Sequence, residues 1–218
     1  MTLKRPALYV GQTEYFTLCD QRFSVTLEAD QGHGAPWEEC DGHGEVSTWE
    51  IRDKAPGELI LSKDGRVKRF YDFAGACRLA RRDGWGFLPG DLETFQNDSG
   101  QWVARVAASY RQPAQFECVA DDINVAIRAV YAAHKATFHS ARAYAAGAAM
   151  ADYNRLRAWC RDDWQYVGVT VTAVSDDDEE AESMGASLWG IESDCAAYLW
   201  EVAEELAAET LAPQCRVA

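Results

Sequence analysis

Three metal-competent side chains fall close together early in the chain: His33, Cys40 and His43, with Glu38, Glu39 and Asp41 between them. Zinc takes nitrogen from His and sulfur from Cys at a tetrahedral centre, so these are the candidate metal ligands of the sequence. The spacings that aim two ligands from one element, Cys-x-x-Cys or His at i and i+4, are missing. Gly32, Gly34, Gly42 and Gly44 flank both histidines, and the composition favours a Gly-rich loop anchored by Trp37 and Trp49 over a metal centre. His134 and His139 are five positions apart and point to different sides of a helix. No Gly-x-Ser-x-Gly elbow and no phosphate-binding loop ending in Lys-Ser/Thr is present. The residues therefore nominate no catalytic group and no cofactor, and the expectation is a protein that is not an enzyme, with a metal-dependent enzyme built on His33, Cys40 and His43 as the last-ranked alternative.

Charge is the stronger signal. The formal net charge is -14. Beyond Cys160 the chain carries Asp162, Asp163, Asp176, Asp177, Asp178, Glu179, Glu180, Glu182, Glu192, Asp194, Glu201, Glu204, Glu205 and Glu209 against only Arg161 and Arg216. Glu201, Glu205 and Glu209 repeat at i, i+4 and i+8, with Glu204 beside them, and like charges at that spacing cost a helix a few tenths of a kcal/mol per pair. Glu209 also approaches the helix C-terminus, where the macrodipole disfavours an anion. The stripe is thus no helix-stabilising device, and an array imitating nucleic-acid phosphates competes with a merely solvated face. The run Asp176, Asp177, Asp178, Glu179, Glu180 and Glu182 reads as a hairpin loop that extends this surface or keeps the turn solvated. It lacks the Asp-x-Asp-x-Asp-Gly frame of a calcium loop.

The opposite sign gathers at Lys63, Arg66, Lys68, Arg69, Arg78, Arg81 and Arg82. Interleaved with Phe70 and Tyr71, these residues form an alternative nucleic-acid-binding patch, with the aromatics stacking bases. The same pattern also describes a soluble edge strand, and the patch could pair with the acidic part of a second copy, so a homo-oligomer stays open. An acidic field repels nucleic acid as the main ligand and steers the chain toward a protein with a basic nucleic-acid-binding surface.

These residues need elements to hold them. The stretch 15–27 alternates aromatic and β-branched residues around a turn near Asp20-Gln21, which reads as a hairpin. A second hairpin, 58–71, turns at Asp64-Gly65. Asp72 caps a helix that runs through Ala80 and stops at Gly84. Residues 86–118, broken by Pro89, Gly90, Gly100 and Pro113, read as an irregular connector. Ile123, Ile127, Val130, Tyr131, His134 and Phe138 share one helical face, continued by an Ala-rich stretch that bends or breaks at Gly147, and a further helical piece spans 152–163. Strands at 166–174 and 187–191 then precede a helix capped by Asp194, with Cys195, Leu199, Val202 and Leu206 facing the core. The fold class is α+β: β-hairpins interleaved with helices, one long Ala-rich helical region, and a C-terminal hairpin followed by an acidic helix. The division expected is 1–85 β-rich, 86–118 connector and 119–218 helical with the hairpin and last helix, or one domain throughout.

At 218 residues and 48% hydrophobic content the chain can bury a real core. It contains no apolar run of membrane-spanning length, and its first residues lack the apolar core of a secretory signal, which makes the cytoplasm the expected compartment and excludes the membrane as a partner. Seven cysteines without a paired spacing read as reduced, buried thiols.

Two blocks of sequence carry a resemblance. One runs from Pro36-Trp-Glu-Glu-Cys-Asp-Gly-His-Gly44 through Tyr71-Asp-Phe73 to Arg82-Asp-Gly-Trp85. The other is Leu156-Arg-Ala-Trp-Cys-Arg-Asp-Asp-Trp-Gln-Tyr-Val-Gly-Val169 with Ser187-Leu-Trp-Gly-Ile-Glu-Ser-Asp194. Together they resemble a family of bacteriophage and prophage proteins, mostly of unknown function. The resemblance implies an accessory protein of a phage. Acidic proteins of that kind are often inhibitors of host defence, of the anti-restriction or anti-CRISPR type, and the expected site of action is then the host cytoplasm.

Overall fold

The computed structural model describes residues 5–39, 43–83, 86, 88–108, 113–174 and 185–211. The elements in chain order begin with β1 (Thr13–Leu18), β2 (Gln21–Ala29), α1 (Pro36–Glu39), β3 (Val46–Trp49), β4 (Glu58–Asp64), β5 (Val67–Asp72) and α2 (Phe73–Asp83). They continue with β6 (Leu92–Gln96), β7 (Trp102–Val106), β8 (Gln115–Ala120), α3 (Ile123–Ala136), α4 (Ala141–Trp159), β9 (Tyr166–Ala173), β10 (Gly185–Glu192) and α5 (Ala196–Leu211). The strands form three antiparallel sheets, so the α+β class holds, including the final strand pair and helix. Among the described residues no helix is long and apolar enough to cross a membrane.

The chain divides into two compact units, one of Met1–Glu39 with Ala158–Ala218 and one of Cys40–Arg157. The second unit is thus an insertion in the sequence of the first, a division that differs from the sequential one the sequence suggested.

The first unit is a sheet in the order β1-β2-β9-β10. Cys19 and Asp20 join β1 to β2 with φ of 49° and 65°. Two left-handed residues give a turn whose twist matches that of the strands, and a short polar Asp tolerates that conformation. The turn falls one residue earlier than the sequence suggested. Alternation then decides the faces: Phe23, Val25 and Leu27 of β2 and Val167, Val169 and Val171 of β9 are fully or almost fully buried, and Leu199, Val202, Ala203, Leu206 and Ala207 of α5 belong to the same core. The last helix begins one residue later than expected. Leu199 N–H donates to the Cys195 carbonyl at 3.0 Å, which makes Cys195 the residue before the first helical position and moves Asp194 one step outside it.

In the second unit β3, β5 and β4 form one sheet, with β5 central. The Asp64-Gly65 hairpin is present, and Gly65 takes φ 55°. Ile60 pairs with Phe70 and Ser62 with Arg69, leaving Leu61 as a bulge. The cap of α2 is the expected one, with Asp72 Oδ1 accepting from Gly75 N–H at 2.8 Å. Residues 86–118 are no irregular connector: they hold β6, β7 and most of β8, an antiparallel meander. Its first turn is organised by Asn97, whose Oδ1 accepts from Ser99 N–H at 3.1 Å and Gln101 N–H at 2.9 Å. Ala104 and Val106 of this sheet share a core with Ala126 and Val130 of α3.

The helical region breaks at residues 137–140, before Gly147. Thr137 caps the end of α3, and Ser140 Oγ accepts from Ala143 N–H at 3.1 Å to start α4. Gly147 lies inside α4, which runs unbroken to Trp159 and absorbs most of the piece expected at 152–163. Its role is steric, because a Cβ there would stand 2.8 Å from the Phe138 ring. In an open helix interior, Gly→Ala adds roughly 1 kcal/mol of stability. Gly147→Ala should instead lower stability, by about 1–3 kcal/mol of overpacking strain, and a chemical denaturation curve of the variant checks the sign.

Candidate functional site

The acidic helix is where the sequence placed it. One side of α5 is core; on the other, Glu201, Glu205 and Glu209 are exposed. Among the described residues none pairs with these three carboxylates. Glu204 departs from the stripe: it forms an ion pair with Arg5. The Arg5 guanidinium lies 4.6 Å from the Trp200 ring and 5.5 Å from Phe16, so Glu204 belongs to a clasp on the N-terminal segment. Asp176, Asp177, Asp178, Glu179, Glu180 and Glu182 lie outside the described residues.

The basic residues are distributed over β4, β5 and α2 and are largely engaged. Lys63 and Lys68 are directly opposite each other across β4 and β5, an arrangement that repels. Lys68 Nζ donates to the Arg52 carbonyl at 3.1 Å and to Asp53 at 3.5 Å. A hollow of about 500 Å³ here is lined by Lys63, Arg66, Lys68 and Arg52 and equally by Glu50 and Asp53. Arg69 contacts Ser62 Oγ at 3.3 Å, Arg78 is 3.6 Å from Asp72, and Arg82 makes two bonds to Asp83 at 2.7 and 2.8 Å. Arg81 is exposed near the end of α2. Phe70 and Tyr71 are fully buried, which removes them as base-stacking groups. Phe70 is covered by the Arg52 guanidinium at 4.3 Å, itself held by two bonds to Glu58 at 3.0 and 2.9 Å. The Arg52 hydrogen bonds outweigh burial and hold the Glu58 carboxyl below its ordinary range.

Two of the candidate metal ligands, His33 and His43, are each taken by a carboxylate. His33 belongs to the first unit and His43 to the second, and Cys40 lies outside the described residues. Among the described residues no three His, Cys, Asp or Glu side chains converge as a metal site. Trp37 packs edge-on against Trp159, whereas Trp49 is 52% exposed at the end of β3, with the Arg52 guanidinium 5.2 Å from its ring.

His33 Nδ1 lies 3.1 Å from Asp30 Oδ2. Asp30 also accepts from Gly32 N–H at 2.9 Å and Gly190 N–H at 3.0 Å. Burial pushes the Asp30 carboxyl up, but these bonds outweigh it and hold the group below its ordinary value of 3.8.

His43 leads to the second unit's most buried polar group. Asp152, fully buried on α4, accepts from His43 Nδ1 at 2.5 Å, Gly44 N–H at 2.7 Å and the Tyr71 hydroxyl at 2.7 Å. Gly44 must lack a side chain, since a Cβ would meet the Tyr71 ring at 2.6 Å. Burial, then the Asp152 charge, pushes the Tyr71 phenol far above its ordinary range, which keeps it a donor and removes it as a nucleophile. The arrangement therefore ties residues 43–44, β5 and α4 together.

Sequence reasoning missed Asp152, Asp30 and Arg52. Asp152 offered one signal, a lone acid in an otherwise Ala-rich helical stretch.

Replacing Asp152 by Ala strands three donors in the core. It should cost about 3–5 kcal/mol, measured by urea denaturation. For Asp30 the sign follows from its lowered pKa: its stabilisation is complete above the unfolded-state value and is lost as pH falls through the folded value. Asp30→Asn should therefore be less stable than the parent at neutral pH, with the difference shrinking below about pH 4; melting curves across pH 2–7 test this.

Comparison of the chain with protein-family models, with curated proteins and with solved structures gave no match in any of the three.

Proposed function

We propose that this chain is an interaction protein that docks the exposed face of α5 on a basic, nucleic-acid-binding surface of a partner protein. The observation that carries the reading is that Glu201, Glu205 and Glu209 are exposed, and among the described residues unpaired, on a helix whose other side is buried in the core. Among the described residues neither packing nor ion pairing accounts for them, and their spacing and dipole position cost the helix stability. At 1.5 Å per residue they stand about 6 Å apart along the axis. Duplex DNA carries one charge per roughly 1.7 Å, so the helix offers a row of anions to a row of cations and not the charge of a whole duplex. The resemblance to phage accessory proteins makes a host defence enzyme the natural owner of such a groove, and inhibition by occlusion the natural mechanism. Association of this kind is fast and falls with salt. The basic residues argue less for nucleic-acid binding, because Lys68, Arg78 and Arg82 are tied to Asp53, Asp72 and Asp83 and the aromatics between them are buried.

The test is the triple variant Glu201→Lys, Glu205→Lys, Glu209→Lys, which leaves the Arg5–Glu204 pair intact. A partner captured by the parent chain should lose at least about 100-fold in affinity, the equivalent of roughly 2.8 kcal/mol, and should recover its binding of duplex DNA. The variant should melt no lower than the parent, since one repulsive row has only been exchanged for another. Unchanged capture by a folded variant would falsify the reading.

A further inference from the structure

The face of the first unit's sheet opposite α5 holds a second constellation. β10 carries a bulge: Leu188 pairs with Val169 and Ile191 with Val167, so Trp189 and Gly190 oppose Gly168 alone. The bulge is fixed from outside the strand. Gly190 takes φ 78° and donates its N–H to Asp30, the same carboxylate that holds His33, and Asp30 is 8% exposed. The His33 ring lies 4.8 Å from Tyr166 and fills the space over Gly190, where a Cβ would be 2.7 Å from the ring.

The consequence is the seat of Trp189. Its six-membered ring covers Gly168 so closely that a Cβ there would stand 2.4–2.6 Å from three of its carbons. Nε1 is tied to Ser187 Oγ at 3.3 Å, and the side chain is still 45% exposed. The indole thus rests on the Gly168 backbone while close to half of the side chain stays accessible. The register surrounds it with polar groups on the same sheet face: Glu28 opposite Gly168, then Thr26 opposite Thr170 and Ser187 opposite Thr170.

We propose that Trp189 is the stacking platform of a saccharide-binding site, with Glu28, Thr26, Thr170 and Ser187 as its hydrogen-bonding rim. A pyranose ring presents C–H groups on one face and hydroxyls around its edge. An immobilised indole takes the first, and a carboxylate with neighbouring hydroxyls takes the second. Asp30 and His33 are positioning residues that hold the bulge. A nucleobase would fit the indole as well, but its phosphate would meet Glu28 and no cation in the rim, on a chain of net charge -14. The ligand class is therefore a neutral sugar. This site is independent of the acidic face of α5.

The experiment is a titration of the full chain with neutral glucan, galactan and N-acetylglucosamine hexasaccharides, read by isothermal calorimetry and by indole NH shifts, with AMP and UMP in parallel. At least one oligosaccharide should bind with Kd near about 1 mM or better, a weak carbohydrate affinity. Trp189→Ala should weaken it at least tenfold, Trp189→Phe should retain most of it, and Glu28→Gln should weaken it several-fold. Gly168→Ala, which unseats the indole without removing it, should also weaken binding, and unchanged circular dichroism of each variant shows that the fold persists. Absence of binding by every oligosaccharide at about 20 mM, affinity indifferent to Trp189→Ala, or equal binding of the nucleotides overturns the proposal.

Discussion

The pairing of β2 with β9 is the constraint on which the first unit rests. Seven residue pairs, from Phe23 with Ala173 to Ala29 with Val167, join strands that precede and follow the inserted unit in the sequence. Closing a loop of this length costs on the order of 4 kcal/mol in chain entropy, comparable to what burying two large apolar side chains returns. The pairing brings Phe23, Val25 and Leu27 beside Val167, Val169 and Val171, and the floor they make is what α5 covers. The same register sets Glu28 against Gly168 on the other face, so one alignment decides both the core and what the outer surface presents. A slip of one residue would exchange the two.

The second unit answers its own problem differently. Its polar interior is concentrated in Asp152, a carboxylate carried by a helix, on which two donors from a loop and one from a strand converge. A buried carboxylate satisfied three times fixes geometry more tightly than apolar contact can, because each bond has a direction. β5 needs such definition, since Phe70 and Tyr71 are both fully buried although they point to opposite faces of the sheet. Arg52 closes one face and the Asp152 network the other.

Local pattern was readable where a single element carried it. The repeat of Leu199, Val202 and Leu206 identified α5, the alternation of valines identified β9, and Asp64-Gly65 identified the second hairpin. The meander was hidden because β6 is almost wholly exposed and has little apolar alternation to show, while Pro and Gly around it read as a connector. The helix break was assigned to Gly147, the weakest helix former present, when the cause was capping by Thr137 and Ser140. The histidines stood out as residue types, but their partners did not: Asp152 lies 109 residues from His43, a relation no local pattern encodes. Even Asp30, three residues before His33, gave no sign that it also grips a strand 160 positions away. The acidic surface was legible as composition, but the pairing of Glu204 with Arg5, which separates it from its three neighbours, spans most of the chain and leaves no local pattern.

The insertion also imposes an order of events during synthesis. β1 and β2 leave the ribosome well before β9, and at roughly 5–20 residues per second the hairpin waits on the order of ten seconds for the strand that completes its sheet. Through that interval the edge of β2 and the side chains of Phe23, Val25 and Leu27 have no final partner, while everything the inserted unit needs has already emerged. The inserted unit is therefore fully synthesised before the first unit, whose folding waits for β9, β10 and α5.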